Sequence, residues 1–381
     1  MIDQKGLAKR HTPQARYAEP AMNIHKSTSA YERWLRDQLH GGIVKKDLHE
    51  KHKQMGDSPF VFLRATYWRW AERIPELCPD INSGPTVLAI GDIHVENFGT
   101  WRDQDGRIVW GVNDFDEAAE MPYPLDLLRL IVSAYLGQQT RRHTPLEPIC
   151  AAVLSGYLRG LEKPRPYILD KKYPRMRGKF VASEAERKRF WDKMQPEAFH
   201  ASENSVPEAF KTSLDQALPD DSERIGYRPR TAGVGSLGRP RWVVLAKWRG
   251  GPVVREAKAL VPSGWSYARR DGNLGLRVGA IAHGRYRAPD PWFSVSPQHV
   301  AVRRLSPNNH KIEMDKLGAW LFKHELLKAM GRETANIHLG THELGKQILR
   351  DIESRPAHWL TQAAEQAVAC TLQDFHDWKK D

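Results

Sequence analysis

The spacing of apolar residues predicts a chain that mixes helices with short strands. Between residues 30 and 77, apolar and aromatic side chains recur at the interval of a helix buried along one face. The apolar runs 86–90 and 107–112 are too short for helices, and each predicts a buried strand. Helical spacing returns over 124–160. We expect the Asp-Gly turn at 105–106 to pair the two predicted strands.

The second half of the chain predicts a sheet followed by more helices. Together with the first half, this pattern predicts an α+β fold. The segment 161–193 is rich in Lys and Arg and favours a surface insertion. Strands are predicted over 226–262 and 298–305, and helices over 268–284, 312–337 and 341–378.

Composition excludes several classes of protein. The 381 residues include 40% hydrophobic residues and 13 Trp, which is typical of a globular chain and not of collagen, a coiled coil or a disordered chain. Apolar runs are too short for a membrane span, and the N-terminal basic residues precede no apolar signal segment. The three cysteines, Cys78, Cys150 and Cys370, are too far apart to predict a disulfide framework or a zinc site. We therefore expect a cytoplasmic protein that does not cross a membrane.

Polar side chains suited to phosphoryl transfer follow both predicted strands. Asp92 and Asn97 come after the first strand in GDIHVENFG, and Asp114 and Asp116 come after the second in NDFD. Protein kinases need one Asp to orient the proton of the nucleophile, and an Asn and another Asp to hold magnesium on the phosphates. A single Asp at a strand end is more often a turn former or a helix cap. Several of them on adjacent strand ends favour a functional site.

We expect the other polar residues near these two strand ends to have structural or supporting roles. We interpret His94 as structural, and Glu96 and Glu117 as solvated or supporting groups. Asp126 begins a predicted helix, so it either caps that helix or braces the loop that carries Asp92.

A glycine loop follows later in the chain. Gly233, Gly235 and Gly238 lie in TAGVGSLG, where Ser236 adds a hydroxyl group. A dinucleotide site would need a helix next, but the strand-like WVVLA follows, and a further strand ends near Lys258. A kinase small lobe has the same order of elements: a strand, a glycine loop, a second strand, a turn and a third strand that carries a lysine. A solvated strand-end lysine is the alternative for Lys258.

The order of these elements predicts a rearranged fold. In a kinase the glycine loop and lysine precede the catalytic Asp, whereas here they follow it. We therefore predict an α+β, protein-kinase-like bilobal fold that is circularly permuted, which nearby surface termini allow. Its predicted units are a polar arm (1–29), a large-lobe part with the catalytic and metal loops (30–160), a basic helical insertion (161–225), a small β-rich nucleotide lobe (226–310) and C-terminal helices of the large lobe (311–381).

A set of segments resembles the bacterial family catalogued as domain of unknown function 2252. In order along roughly residues 50 to 345, they are SPFVFLRATYWRWAE, GDIHVENFGTW, NDFDEAAEMPYPLDLLRL, GVGSLGRPRWVVL, EAKAL, VRRLSP and GRETANIHL. The GDIHVEN and NDFDEA pieces are also similar to the catalytic and metal loops of aminoglycoside phosphotransferases, which implies a kinase-like fold. By this resemblance Asp92 would be the catalytic base, Asn97 and Asp114 the magnesium ligands, and Lys258 the phosphate-binding lysine.

One departure leaves alternatives open. Kinases pair the strand lysine with a helix glutamate, but between Ala257 and Glu313 the only acids are Asp271 and Asp290. We expect an ATP- and magnesium-dependent phosphotransferase whose hydroxyl-bearing acceptor is either a small molecule or a protein. The net charge of +12 favours an anionic acceptor. The missing glutamate also allows a nucleotide-binding pseudokinase or an AMP-transferring enzyme. A third alternative is a basic nucleic-acid-binding protein that uses 161–193 and the Arg- and Trp-rich stretch 239–304.

Overall fold

The computed structural model describes residues 22–138, 144–309 without 271 and 273, and 324–380. It is a mixed α and β fold, as the apolar spacing predicted. The described helices are α1 Ile24–Gln38, α2 Lys45–Met55, α3 Pro59–Ala65, α4 Tyr67–Leu77, α5 Pro124–Leu136, α6 Leu146–Glu162, α7 Pro174–Phe180, α8 Glu184–Asp192, α9 Glu208–Gln216, α10 Gly264–Arg269, α11 Val278–Ala282, α12 His324–His338, α13 Gly345–Ser354 and α14 Trp359–Trp378.

The described residues also form three sheets. Two are small and lie in the first half of the chain, and the third has five antiparallel strands in the order β6-β7-β8-β10-β9. The strands are β1 Thr86–Ala89, β2 Phe98–Arg102, β3 Ile108–Val112, β4 Ala119–Pro122, β5 Tyr167–Ile168, β6 Glu223–Pro229, β7 Arg241–Trp248, β8 Gly251–Ala259, β9 Ser294–Val295 and β10 Val300–Leu305.

The predicted pairing of the first two strands is wrong. The turn at 105–106 joins β2 to β3, whereas β1 pairs with β4. The Asp103 side chain closes this turn by accepting from the N–H groups of Asp105 and Arg107 at 3.1 and 2.9 Å. A tight turn pairs the segments that directly flank it, and the segment before this one is β2, which the apolar pattern did not reveal.

The N-terminal helices are confirmed, with an earlier start. Asn23 caps α1 by accepting from the N–H of Lys26, so the helix begins at Ile24, within the arm predicted over 1–29. The rest of that arm, up to residue 21, lies outside the described residues. The helix predicted over 268–284 is replaced by the short helices α10 and α11, because Arg270 ends α10 in the left-handed conformation.

The apolar core lies mainly among the helices, around α5, α6 and α12. The five-stranded sheet has its own cores, with α9 on one face and the segment 190–199 on the other. The predicted helix 312–337 is described only from His324 onward. No helix within the described ranges is both long and apolar enough to cross a bilayer. The division into five units stays a prediction.

Candidate functional site

One cavity of about 180 Å³ gathers residues from two distant parts of the chain. Its first wall consists of the loops after β1 and β3, and its second wall consists of the glycine loop and the end of β8. The predicted residues that lie outside the lining are Gly238 and Asp126. The predicted residues that line the cavity are Asp92, His94, Asn97, Asp114, Asp116, Gly233, Gly235, Ser236 and Lys258.

A glycine and a buried carboxylate fix the turn that carries Asp92. Gly91 has a φ of +80°, and a Cβ at this position would overlap the carbonyl oxygen of Glu117. The N–H groups of Ile90 and Gly91 donate to the Asp126 carboxylate over 2.7 and 3.0 Å. The chain therefore leaves β1 in a fixed direction, with Asp92 at the cavity.

Asp126 acts as the brace that was one of its two predicted roles. The N-cap of α5 is Tyr123, and no side chain makes a capping hydrogen bond there. Instead, His338 on α12 has its Nε2 atom 3.0 Å from the Asp126 carboxylate and its Nδ1 atom 2.8 Å from the Tyr157 hydroxyl. All three side chains are buried. The loop before Asp92 is thus tied to the C-terminal helices.

Asp92 is held by a buried arginine. Arg129 on α5 donates to Oδ1 of Asp92 from Nη2 at 2.5 Å and from Nε at 3.1 Å, and to the carbonyl of Leu63 at 2.8 Å. Burial raises the pKa of Asp92 to about 6, although Arg129 acts in the opposite direction. A carboxylate with a pKa close to neutral pH is suited to general base catalysis.

Asn97 links the two acidic loops. Its Nδ2 atom donates to the carbonyl of Asp92 at 3.1 Å, and its Oδ1 atom accepts from the N–H of Asp114 at 2.9 Å. An amide oxygen has two lone pairs, so one hydrogen bond leaves capacity for a further ligand. The Asp114 side chain is 31% exposed and also lines the cavity. Asn97 and Asp114 therefore offer two neighbouring oxygen donors.

Lys258 contacts two aspartates. Its Nζ atom lies 3.5 Å from Oδ1 of Asp114 and also contacts the carboxylate of Asp116. The side chain is buried, which excludes a solvated lysine, and this burial lowers its pKa against the opposing effect of Asp114. The acidic partners of Lys258 are thus aspartates from the first half of the chain.

The glycine loop lies directly against Asp92. Gly233, with a φ of +77°, precedes a short 3-10 turn at Val234–Ser236. A Cβ on Gly235 would lie 3.1 Å from Oδ2 of Asp92 and 3.0 Å from the carbonyl oxygen of Arg64. The loop therefore approaches the acidic loop as closely as a glycine allows.

The other predicted residues of this loop have structural partners. The Ser236 hydroxyl accepts from Nη2 of Arg241 at 2.9 Å and faces the cavity. Gly238 lies outside the cavity, where its carbonyl accepts from the N–H of Val44 at 2.9 Å. Of the five predicted nucleotide contacts, Gly238 is therefore the one that lies away from the cavity.

The neighbouring polar residues have partners within the fold, which agrees with structural or supporting roles and not with solvated ones. His94 is buried, and its ring meets Phe60 edge to face with centroids 6.4 Å apart. Glu96 pairs with Arg64 at 2.5 Å at the edge of the cavity. Glu117 is buried and not solvated, and the N–H of Gly264 donates to it at 2.6 Å.

Sequence reasoning missed the cations that hold these acids. Arg239 is buried, pairs with Glu117 and lies 3.8 Å from Asp116. Lys51 on α2 donates to the carbonyl of Gly235 at 3.1 Å, and burial lowers its pKa to about 8. Arg129 could have been found, because it follows Asp126 by three residues and so lies on the same face of a helix.

The Arg- and Trp-rich stretch 239–304 is not a continuous basic surface. Arg239 and Arg241 are both buried, and Arg241 donates to Glu256 at 2.9 Å. A nucleic-acid-binding face would need these guanidinium groups to be exposed to phosphates. This part of the nucleic-acid alternative therefore loses support.

The donor chemistry of the cavity suits magnesium. Within the ranges that the structure describes, no three His, Cys, Asp or Glu side chains are grouped so that they could hold a metal ion. Magnesium in nucleotide enzymes is usually held by one or two carboxylates together with the phosphates of the substrate. Asn97 and Asp114 fit that kind of shared site.

Comparison with known proteins identifies the family of the chain. A search of curated proteins and a search of solved structures each gave no match. The family of uncharacterized proteins conserved in bacteria (DUF2252) matches over residues 43–166 and 167–381, which include both acidic loops and the glycine loop. The resemblance to this family is thereby confirmed, and the chain belongs to it.

Proposed function

We propose that this protein is an ATP- and magnesium-dependent phosphotransferase with a circularly permuted, protein-kinase-like fold. One observation carries the proposal: Asp92, Asn97, Asp114 and Lys258 line the same cavity beside the glycine loop, although the lysine and the loop come much later in the chain. Burial of several charged side chains in one cluster costs desolvation free energy, which favours a functional reason for the cluster.

The five-stranded sheet supports the kinase-like part of the proposal. The glycine loop connects the antiparallel strands β6 and β7, and β8, next to β7, carries Lys258. Kinases likewise cover the phosphates with a glycine-rich loop and bind them with a lysine from a neighbouring strand. The acidic loops come from the preceding part of the chain, which is the reason for proposing a permutation.

In the proposed reaction, Asp92 is the general base. The acceptor hydroxyl oxygen forms a bond to the γ-phosphorus of ATP, the bond from that phosphorus to the β,γ-bridging oxygen breaks, and ADP leaves with the electron pair. The hydroxyl proton passes to Asp92. Lys258 binds phosphate oxygens, and Asn97 and Asp114 hold the magnesium ion, which neutralises phosphate charge.

Thermal unfolding tests the nucleotide site without knowledge of the acceptor. ATP with magnesium should raise the Tm of the wild type by about 3 °C at roughly 100 times Kd, because ligand binding favours the folded state. Asp114→Ala and Lys258→Ala should both lose this shift. The exposed Lys247, changed to Ala, should keep it. A wild type whose Tm no nucleotide raises would contradict the proposal.

AMP transfer is the second candidate. The contact of Lys258 with Asp114 and Asp116, in place of a helix glutamate, favours a phosphate arrangement different from that of ordinary kinases. The nucleotide product separates the two reactions, since phosphoryl transfer releases ADP and AMP transfer releases pyrophosphate. A pseudokinase would bind ATP and release neither product.

A further inference from the structure

A second cavity, next to the proposed phosphoryl-transfer site, has five cations among its thirteen lining residues. Its volume is about 330 Å³, and it lies between α8 and the edge of the five-stranded sheet. We call it the basic cavity. Its charged lining residues are Arg189, Lys193, Arg230, Arg303, Arg304 and one acid, Glu186.

The inner wall of the basic cavity carries excess positive charge. Glu256, which is 1% exposed, accepts from Arg230 at 2.5 Å, from Arg241 at 2.9 Å and from Arg303 at 2.7 Å. One carboxylate thus faces three guanidinium groups, of which those of Arg230 and Arg303 line the basic cavity. Asp114 and Asp290 also attract Arg303, but Asp114 is shared with Lys258 and Asp290 is shared with Arg304. An anion in the cavity would reduce this imbalance.

The outer wall adds two cations from a single helix segment. Arg189 and Lys193 lie four residues apart and therefore point to the same side. Neither forms an ion pair with a carboxylate in the described part of the chain. The one acid of the lining, Glu186, is directed to the N-terminus of α8, where it accepts from the N–H of Ser183 at 2.9 Å. It therefore serves the capping box of the helix.

A small cavity of about 30 Å³ lies between the basic cavity and the proposed reaction site. It is lined by Asp114 and Lys258, which also line the first cavity, and by Asn113 and Arg303, which also line the basic cavity. The arginines of the basic cavity are therefore close neighbours of the residues that we propose to hold the phosphates.

We propose that the basic cavity binds the anionic end of the phosphoryl acceptor, a small hydroxyl-bearing molecule that carries phosphate or carboxylate groups. This inference rests on the proposed function. Guanidinium groups match the geometry of phosphate and carboxylate oxygens, and they keep their charge when partly buried. The volume is at the lower end of the roughly 300–1,000 Å³ of ligand pockets, which fits a small acceptor.

Inorganic pyrophosphate is the probe for this site, in calorimetric titrations of the full chain without magnesium or nucleotide. The wild type should bind it, and the double variant Arg189→Ala/Lys193→Ala should bind it at least about tenfold more weakly, since it loses two charge-assisted contacts to the anion. Lys188→Ala, on the same helix but paired with Asp192, should bind like the wild type. Lys258→Ala should retain binding. Both cavity residues are exposed, so the double variant should keep the Tm of the wild type.

Two results would overturn the inference. Pyrophosphate could bind the double variant as tightly as the wild type, or saturating ATP with magnesium could displace it, which would assign the basic cavity to the nucleotide. Retention of pyrophosphate beside bound ATP would support an acceptor site. Failure of the proposed function is distinguishable, because the wild type would then bind pyrophosphate without any stabilisation by ATP.

Discussion

Individual residues in the cavity owe their chemistry to partners of opposite charge. Asp92 is held by Arg129, which is completely buried, and Lys258 is held by Asp114 and Asp116. Such pairs cost desolvation when they form, and loss of one member leaves the other as a buried, unpaired charge. The surface pairs of the chain carry no such penalty and matter little to the site.

The pKa of Asp92 predicts how the reaction depends on pH. Because burial raises this pKa to about 6, the carboxyl is protonated below that pH and becomes an active base above it. The initial rate of ADP release, with water as the acceptor, should therefore rise between pH 5 and 7. Asp92→Asn should lower the rate by about 10²–10⁴ and remove the pH dependence.

The control for this prediction is an exposed carboxylate. Asp105, at the tip of the β2–β3 hairpin, has a side chain that is 73% exposed, and Asp105→Asn should leave both rate and pH profile unchanged. A profile that is flat from pH 5 to 7 in the wild type would exclude Asp92 as the base.

At the scale of elements, the glycine loop is positioned by a helix from the first half of the chain as well as by its own strand β7. Lys51 on α2 donates to the carbonyl of Gly235, and Arg241 on β7 donates to the hydroxyl of Ser236. The loop thus lies between a helix of the first half and the sheet of the second half. Its distance from the acidic loop depends on both.

The close approach of this loop predicts the effect of one added methyl group. In Gly235→Ala, the new Cβ would lie 3.0 Å from the carbonyl oxygen of Arg64 and 3.1 Å from Asp92, so the loop must move by a few tenths of an ångström. Overpacking of this kind costs about 1–3 kcal/mol, and ATP affinity should fall about tenfold in a calorimetric titration with magnesium.

Gly178→Ala is the matched control for the loop variant. No atom lies within 4 Å of a Cβ at this position on α7, so ATP affinity should equal that of the wild type. If Gly235→Ala also binds ATP as tightly as the wild type, ATP binding does not depend on the glycine loop.

At the scale of the whole molecule, the buried carboxylate of Glu256 links several strands of the five-stranded sheet through ion pairs. It joins Arg241 on β7 and Arg303 on β10 to its own strand β8, and it holds Arg230, which follows β6. Its three arginines keep the pKa of Glu256 well below its usual value, although burial acts in the opposite direction. The ionised form is therefore the one that the fold requires.

Glu256→Gln should destabilise the protein strongly. We expect the free energy of unfolding, from urea denaturation at pH 7, to fall by about 3–5 kcal/mol, since three guanidinium groups lose the carboxylate that they share. A depressed pKa contributes stability above the unfolded value near 4.5, and this contribution is lost as the pH falls below it. The free energy of unfolding of Glu256→Gln should therefore not show this decrease at acidic pH.

An exposed glutamate provides the comparison for Glu256. Glu203 pairs with Arg224 on the surface, and its side chain is 52% exposed, so Glu203→Gln should change the urea midpoint little. Equal unfolding free energies for Glu256→Gln and the wild type would show that the buried cluster does not stabilise the sheet.

The sequence by itself determined the mixed helix and strand content, the family and most of the residues that line the cavity. Helical and strand-like spacing arises from local burial, and turn residues act on their immediate neighbours, so both can be predicted from short segments of the sequence. The glycine loop and the strand that carries Lys258 could be predicted for the same reason. Each acidic side chain that we chose lies directly after a strand, or at the start of a helix, that local pattern had predicted.

The tertiary structure alone decided which strands pair and which charges meet. β1 pairs with β4 across a long separation in the chain, and Asp126 meets His338 from another helix, so neither contact has a local signature. The same holds for the pairing of Lys258 with Asp116. Such contacts are stabilised only when distant segments bury each other, because desolvation and register are properties of the folded whole and not of any short segment.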